Sequence, residues 1–310
     1  MQSFFSHGKL LVTGEYVVLD GALSLAIPTK YGQRMEVEFS ESDTDNTLTW
    51  YSIDSDGETW YREEFLIEHN DTQRSQSVRL NPTELCNLNA VSDSLVKILN
   101  QACMGNSWFL GGGSYTVRTY LDFPNNWGLG SSSTLICNIA KWAEVDAFEL
   151  SEASFGGSGY DIAVGMLGGD ILYRSPEMWE GYVYNPPFRD QLYFVHLNQK
   201  QNSREGIATY RSKSLHKETI EQVSSITESI INCYDFDAFQ RLITEHEAAI
   251  ASLVEMPTVK ERLFSGYAFA IKSLGAWGGD FILACGDENT PQYFKDKGFE
   301  TVVSYDELVK

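Results

Sequence analysis

The segment PNNWGLGSSST, residues 124–134, combines glycines that let backbone approach a ligand with hydroxyls that can bond one. Gly128-Leu129-Gly130 read as a tight turn. Ser131-Ser132-Ser133 open a stretch in which Leu135, Ile136, Ile139, Ala140 and Ala143 recur at helical spacing up to about Val145. A helix start offers unpaired N–H groups and the positive end of its dipole, which together make an anion site. Serine hydroxyls there can cap the helix, bond phosphate oxygens or ligate Mg²⁺. Taken alone, the same residues also describe a glycine turn with a serine cap and no ligand. The segment is not GxxxxGK[ST], because no lysine follows, and it lacks GxGxxG.

Three further segments carry reactive residues. Ser6-His7-Gly8-Lys9 leads into KLLVTGEYVVLD, which holds Gly14-Glu15-Tyr16. Asp161 follows Gly157-Ser158-Gly159-Tyr160, and Gly275-Ala276-Trp277-Gly278-Gly279-Asp280 is another glycine-rich turn. In isolation Asp161 also fits an Asx turn and Lys9 a solvated lysine before a strand. In this order the four segments resemble the GHMP kinase superfamily of galactokinase, homoserine, mevalonate and phosphomevalonate kinases. Its motifs read like PGK…GEH or GEY, PxxxGLGSSA and GAGxGG. The match runs through nearly the whole chain.

The resemblance implies an α+β fold of two domains, an N-terminal ribosomal-S5-domain-2-like α/β domain and a C-terminal ferredoxin-like α+β domain. It implies ATP and Mg²⁺ as cofactors and a small molecule as phosphoryl acceptor. Gly128, Leu129, Gly130, Ser131, Ser132 and Ser133 would hold the triphosphate, with Ser132 on the metal. Asp161 would face the acceptor hydroxyl as general base or electrostatic partner. Lys9 would sit beside it and either lower the hydroxyl pKa or stabilise the transferring phosphoryl group. Such roles suit a reaction that needs mainly in-line positioning and charge neutralisation.

Within the superfamily the details lean toward phosphomevalonate kinase. Tyr16 stands where mevalonate kinases usually have His, the stretch from Ser158 and Gly159 through Asp161 is similar to an SGYDVA motif, and Gly278, Gly279 and Asp280 are similar to GGGDC. Glu15 and Tyr16 fall on the substrate side with these residues. Lys200, Ser203 and Arg204 follow a strand where family members carry substrate contacts, and cations there suit a phosphorylated acceptor. Mevalonate is the near alternative; a sugar, homoserine or a non-catalytic binding role are the others. His7 departs from the Pro-like position before Gly-Lys, and Trp277 interrupts the third motif. The short interval from Ser132 to Asp161 leaves Glu149 and Glu152 as candidates for an acidic Mg²⁺ ligand.

These residues need elements to hold them. Residues 9–20 read as two short strands about Thr13-Gly14-Glu15, and residues 32–40, 47–51 and 58–68 continue as an acidic-faced meander. Residues 82–104 read as a helix ended by Gly105, and residues 114–121 as the strand before the loop. A strand at 171–174 follows the second glycine-rich segment, and residues 176–187 read as a linker or exposed turn. Strands at 192–197 and 281–285 and helices at 214–234, 236–253 and 258–274 follow, with a short helix–strand element last. This places an N-terminal nucleotide-binding domain at 1–168 and a C-terminal domain at 169–310.

At 310 residues and 43% hydrophobic the chain can fill two cores. Its net charge of −20 argues against coating nucleic acid or an anionic membrane. It also means that an anionic ligand must be held by local devices. The five cysteines are scattered, with no CxxC pair, which fits free thiols in the cytoplasm. The opening MQSFFSHGKLLVTGEY lacks the pattern of a signal peptide, and no apolar run approaches the ~20 residues that span a bilayer. Nothing in the sequence sets an oligomeric state.

Overall fold

The computed structural model describes the chain except residues 42–45, 71–74, 81–89, 177, 200–206, 209, 212–216, 276 and 278. In chain order the described strands are β1 (Gln2–Leu11), β2 (Ser24–Ser40), β3 (Thr47–Ile53), β4 (Thr59–Asn70), β5 (Ser75–Leu80), β6 (Ser114–Leu121), β7 (Asp170–Arg174), β8 (Met178–Tyr182), β9 (Leu192–His196), β10 (Ile271–Ser273), β11 (Phe281–Cys285) and β12 (Val302–Ser304). The helices are α1 (Ala90–Gly105), α2 (Ser131–Ala143), α3 (Ala147–Ser154), α4 (Tyr160–Leu167), α5 (Lys217–Ile231), α6 (Phe236–Val254), α7 (Val259–Leu263), α8 (Thr290–Lys295) and α9 (Tyr305–Leu308). Two compact units result, an α+β architecture. One comprises Met1–Gly8, Tyr31–Asn125 and Gly130–Met166; the other comprises Lys9–Lys30, Asn126–Leu129 and Leu167–Lys310.

In the first unit the strand order is β5-β4-β3-β6-β2. Alternation along β3 puts Leu48 and Trp50 on the inner face, where they meet Met35, Val37, Phe65 and Val117 from the neighbouring strands. Helices cover that face with Leu95, Ile98 and Leu99 of α1 and Ile136, Ile139 and Ala140 of α2. Each fully buried Leu or Ile among them contributes roughly 1.5–3 kcal/mol. The expected meander forms from β3 through β5 but does not extend to β2. β6 enters between β2 and β3, antiparallel to the first and parallel to the second. Strand character is local, but pairing is decided by α1, which carries the chain back before β6. The described part of that helix begins at Ala90; residues 82–89 of the expected helix lie outside the described residues. β5 and α3 are not anticipated by the sequence reading.

In the second unit β9 pairs with β11 and β12, and β10 with β11, all antiparallel. Val195, Ile271, Ile282, Phe264 and Phe294 fill a core against this sheet. α5 and α6 contribute Val223, Ile250 and Leu253 to a second cluster with Tyr16, Val17 and Trp277. Ser24–Ala26 at the start of β2 pair with β7, and β7 with β8. Three expectations change here. Residues 9–20 give the end of β1 and a 3-10 turn at Val17–Asp20, not two strands. The stretch 176–187 contains β8 rather than a plain linker. The helix expected over 258–274 stops at Leu263, because Ser265-Gly266 breaks it and residues 271–273 pair with β11. Its apolar residues keep helical spacing yet reach the core from a turn and a strand.

Among the described residues, no helix is long and apolar enough to cross a membrane. Cys103, Cys137, Cys233 and Cys285 are free thiols; Cys86 lies outside the described residues.

Candidate functional site

β6 delivers the chain into the loop that ends on α2. Gly128 and Gly130 have φ of 69° and 90°, a region where a side chain is strained. At Gly128 a Cβ would also collide with the Asp280 carboxylate. On the other side of the same residue, Lys9 Nζ donates to the Gly128 carbonyl at 3.1 Å and the Lys9 backbone N–H donates to the Leu129 carbonyl at 3.0 Å. Asp280 is itself fixed by a bond from its N–H to the Gln199 carbonyl at 2.7 Å. Within the second unit, then, Lys9 bonds the glycine turn and the Asp280 carboxylate lies against Gly128. Leu129 is a buried anchor. Trp127 packs edge-on against Phe281, and His196 Nε2 lies 3.1 Å from the Asn126 carbonyl.

In the first unit Gly130 is the N-cap of α2 and offers no side chain. The Thr134 N–H donates to the Gly130 carbonyl at 2.9 Å, the first helical bond. The amides of Ser131, Ser132 and Ser133 therefore point out of the helix start without intrahelical acceptors. Their hydroxyls divide. Ser133 is buried and donates to the Gly130 carbonyl at 2.9 Å, so its hydroxyl serves the turn. Ser131 donates to Asn125 Oδ1 at 3.3 Å. Ser132 is exposed.

Asp161 sits in the first turn of α4, where a negative charge favours the helix. Its Oδ1 accepts the Ile162 N–H at 3.1 Å. Gly159, with φ of 85°, turns the chain into this helix, and the Ala163 N–H donates to its carbonyl at 3.0 Å. Ser158 just before it is half-buried. Lys9 and Asp161 belong to different units.

Glu15 and Tyr16 are buried within the second unit. Glu15 is buried and ion-pairs with the buried Lys272, whose Nζ also donates to the Ser273 carbonyl at 2.8 Å. His246 Nε2 stands 3.6 Å from Glu15 Oε2 and accepts the Gly14 N–H at 2.9 Å, which assigns Nδ1 the proton of the neutral ring. Glu247 accepts the Ser273 N–H and hydroxyl at 2.9 and 2.8 Å. Burial pushes the Glu15 carboxyl up to about 7 against the pull of Lys272, and burial holds the His246 pKa well below its ordinary value. Tyr16 is buried too; its ring stacks on Tyr210 and its hydroxyl accepts the Trp277 N–H at 3.2 Å. These two residues brace the motif inside the second unit. The sequence reading missed Lys272, His246 and Glu247. The one signal in the sequence is the lysine within the largely apolar FAIKSL, residues 269–274.

Lys200, Ser203, Arg204 and Gly278 lie outside the described residues; Gly279 is buried beside Asp280. Glu149 and Glu152 are exposed on α3. The Asp146 side chain caps that helix at the Glu149 N–H, 2.9 Å, just beyond the C-terminal end of α2. Glu149 therefore stands away from Ser131, which begins α2 a helix length of about 18–20 Å earlier. Among the described residues no group of three His, Cys, Asp or Glu side chains is placed to hold a metal ion. The donor set that remains, one exposed hydroxyl beside outward-pointing amides, fits Mg²⁺ carried in on phosphates, since Mg²⁺ keeps few protein ligands.

No family model matches the chain, and no curated protein matches it. Solved structures do. Over 96% of this chain and 96% of the other, it superposes on the Streptococcus pneumoniae phosphomevalonate kinase in complex with phosphomevalonate and AMPPNP, at TM-score 0.67 and 16% identity. The Methanococcus jannaschii mevalonate kinase gives 0.66 and 13% over 97% and 96%. The Lactococcus lactis galactokinase complexed with galactose gives 0.63 and 12% over 96% and 88%. At these identities the likeness is one of fold, and it extends along nearly the full length of each chain.

Proposed function

From a chain with the fold of the GHMP kinases, we propose a phosphotransferase that moves the γ-phosphoryl group of ATP onto a small alcohol, phosphomevalonate before mevalonate. The observation that carries this reading is the start of α2. Two glycines with positive φ turn the chain there, three amides point outward, and Ser132 is exposed. In a chain of net charge −20, such backbone donors are how a triphosphate is held. Mg²⁺ bound with the nucleotide would supply charge neutralisation on the triphosphate, and the exposed Ser132 hydroxyl is the side chain that would hold it.

The chain's own residues divide the remaining work. Asp161 receives the proton of the acceptor hydroxyl as its oxygen bonds to the γ-phosphorus and the bond to the β,γ-bridging oxygen breaks. Lys9, its ammonium at the Gly128 carbonyl, places a positive charge at the turn where negative charge accumulates. Gly279 and Asp280 back the turn, and Ser158 and Gly159 shape the approach to Asp161. Tyr16, the stretch from Ser158 to Asp161, and Gly279-Asp280 support phosphomevalonate. The free thiols suit action in a reducing cytoplasm.

A coupled ADP-release panel over mevalonate, phosphomevalonate, homoserine and sugars tests the reading. Turnover with phosphomevalonate is expected. Turnover with a sugar or homoserine alone moves the acceptor, and no turnover together with no ATP-induced thermal shift removes the kinase assignment. Two variants refine it. Ser132→Ala should raise the Mg²⁺ concentration needed for half-maximal rate several-fold, read by titrating Mg²⁺ at fixed ATP. Lys200→Ala should raise the KM for phosphomevalonate at least about tenfold, the scale of a lost charge-assisted contact, and that for mevalonate far less. Equal effects on both would argue against a phosphorylated acceptor.

A further inference from the structure

Asp161 belongs to α4, and what fixes α4 is a set of contacts with α2 inside the first unit. Cys137 is fully buried, and its S–H donates to the carbonyl of Ile162, the residue after Asp161, at 3.7 Å. Burial, with Asp161 close by, pushes this thiol up to about 12, so the sulfur keeps the proton it donates. Gly165, one turn further along α4, rests on the same sulfur; a Cβ there would come within 2.7 Å of Cys137 Sγ. One turn further along α2, Lys141 Nζ donates to the Gly165 carbonyl at 3.4 Å, the Phe5 carbonyl at 2.8 Å and Ser6 Oγ at 2.9 Å. Ser6 in turn donates to Asn138 Oδ1 at 2.9 Å. Asn138 donates to the Gln33 carbonyl at 2.9 Å, and Thr134 to Gln33 Oε1 at 3.0 Å. Thr134, Asn138 and Lys141, at i, i+4 and i+7, tie one face of α2 to β1 and β2. Cys137 and Lys141 tie it to α4.

We propose that Cys137, Lys141 and Gly165 are positioning residues, a spacer that sets the distance between Asp161 and the first turn of α2. Ser132 and Cys137 are five residues apart on one rigid helix, about 7–8 Å along its axis. With α4 seated on Cys137, Asp161 is held at a fixed offset from the amides and hydroxyl at the helix start. The inference rests on the kinase reading, because in-line transfer is what makes that offset matter. A misplacement of about 1 Å can cost about 10²-fold in rate.

Gly165→Ala is the sharpest probe. Alanine is the better helix former by about 1 kcal/mol, so the variant does not weaken α4 itself. Its Cβ must, however, move α4 away from α2 by roughly 1 Å to reach an ordinary carbon contact of about 3.5–4.0 Å. With phosphomevalonate and Mg·ATP, kcat should fall on the order of 10²-fold while the KM for Mg·ATP stays within about twofold. Cys137→Ala removes the sulfur that the new Cβ strikes, so the Cys137→Ala/Gly165→Ala double variant should recover at least about tenfold of the lost kcat. Lys141→Arg should keep most of the rate and Lys141→Met should not. A merely structural role would move kcat, KM and melting temperature together. Wild-type turnover with an undiminished Gly165→Ala rate overturns this inference alone. A wild-type chain that transfers nothing to any acceptor removes the kinase reading and the inference with it.

Discussion

Asp161→Asn should lower kcat by at least about 10²-fold and leave Mg·ATP affinity nearly unchanged. That is the scale on which a positioned general base or preorganised charge acts. The amide keeps the size of the carboxylate and retains an oxygen to accept the Ile162 N–H, the local bond at 3.1 Å that Asp161 makes at the start of α4. What it loses is the capacity to take the acceptor's proton. The loss should therefore appear in kcat and equally in kcat/KM for the acceptor, the signature of an interaction made in the transition state. Steady-state kinetics with both substrates varied measures it, and thermal shift with Mg·AMPPNP checks the nucleotide side. An unchanged kcat would remove Asp161 from the chemistry.

Lys272→Met should destabilise the fold by about 3–5 kcal/mol, the cost of leaving one member of a buried pair without its partner. Glu15 and Lys272 are both fully buried, and the pair joins the Gly14-Glu15-Tyr16 segment to β10 with Glu247 and His246 around it. Replacing both charges, in Glu15→Met/Lys272→Met, should regain most of that loss, because a well-packed apolar pair avoids the desolvation of two ions. Urea unfolding of the three variants closes the cycle; a double variant as unstable as Lys272→Met would contradict it. The pH dependence has a definite sign. Glu15 is raised from 4.5 to about 7 in the folded state, so its contribution is full below 4.5 and is lost as pH rises through about 7. The stability of wild type relative to Glu15→Gln should fall across that window. His246, held neutral in the fold by burial, charges on unfolding at low pH and contributes a slope of the opposite sign.

How much of this was legible in the sequence follows from how far apart the interacting residues are. The strand, glycine turn and helix from residue 114 to 143 form a local unit, and spacing and residue type were enough to read it. The hydroxyls of that unit were harder. Ser131, Ser132 and Ser133 look alike in sequence, yet only contacts separate Ser133, which is turned back onto Gly130, from the exposed Ser132. The partner of Glu15, Lys272, lies 257 residues away in sequence. Nothing near Glu15 announces that it is buried. The same distance problem hid the entry of β6 between β2 and β3. In residues 258–274, helical spacing of apolar groups was satisfied by a turn and a strand, because Gly266 and pairing with β11 outweighed the periodicity. Lys141 drew no notice, being one polar residue on an amphipathic helix. Its three acceptors come from β1 and α4.

The central claim is phosphoryl transfer at the glycine–serine turn, and the most direct measurement follows the phosphoryl group itself. Wild-type protein incubated with γ-labelled ATP, Mg²⁺ and phosphomevalonate should yield labelled product and ADP in equal amounts, with both suppressed together in Asp161→Asn. Release of ADP without labelled product, or label on none of the acceptors, would contradict the account.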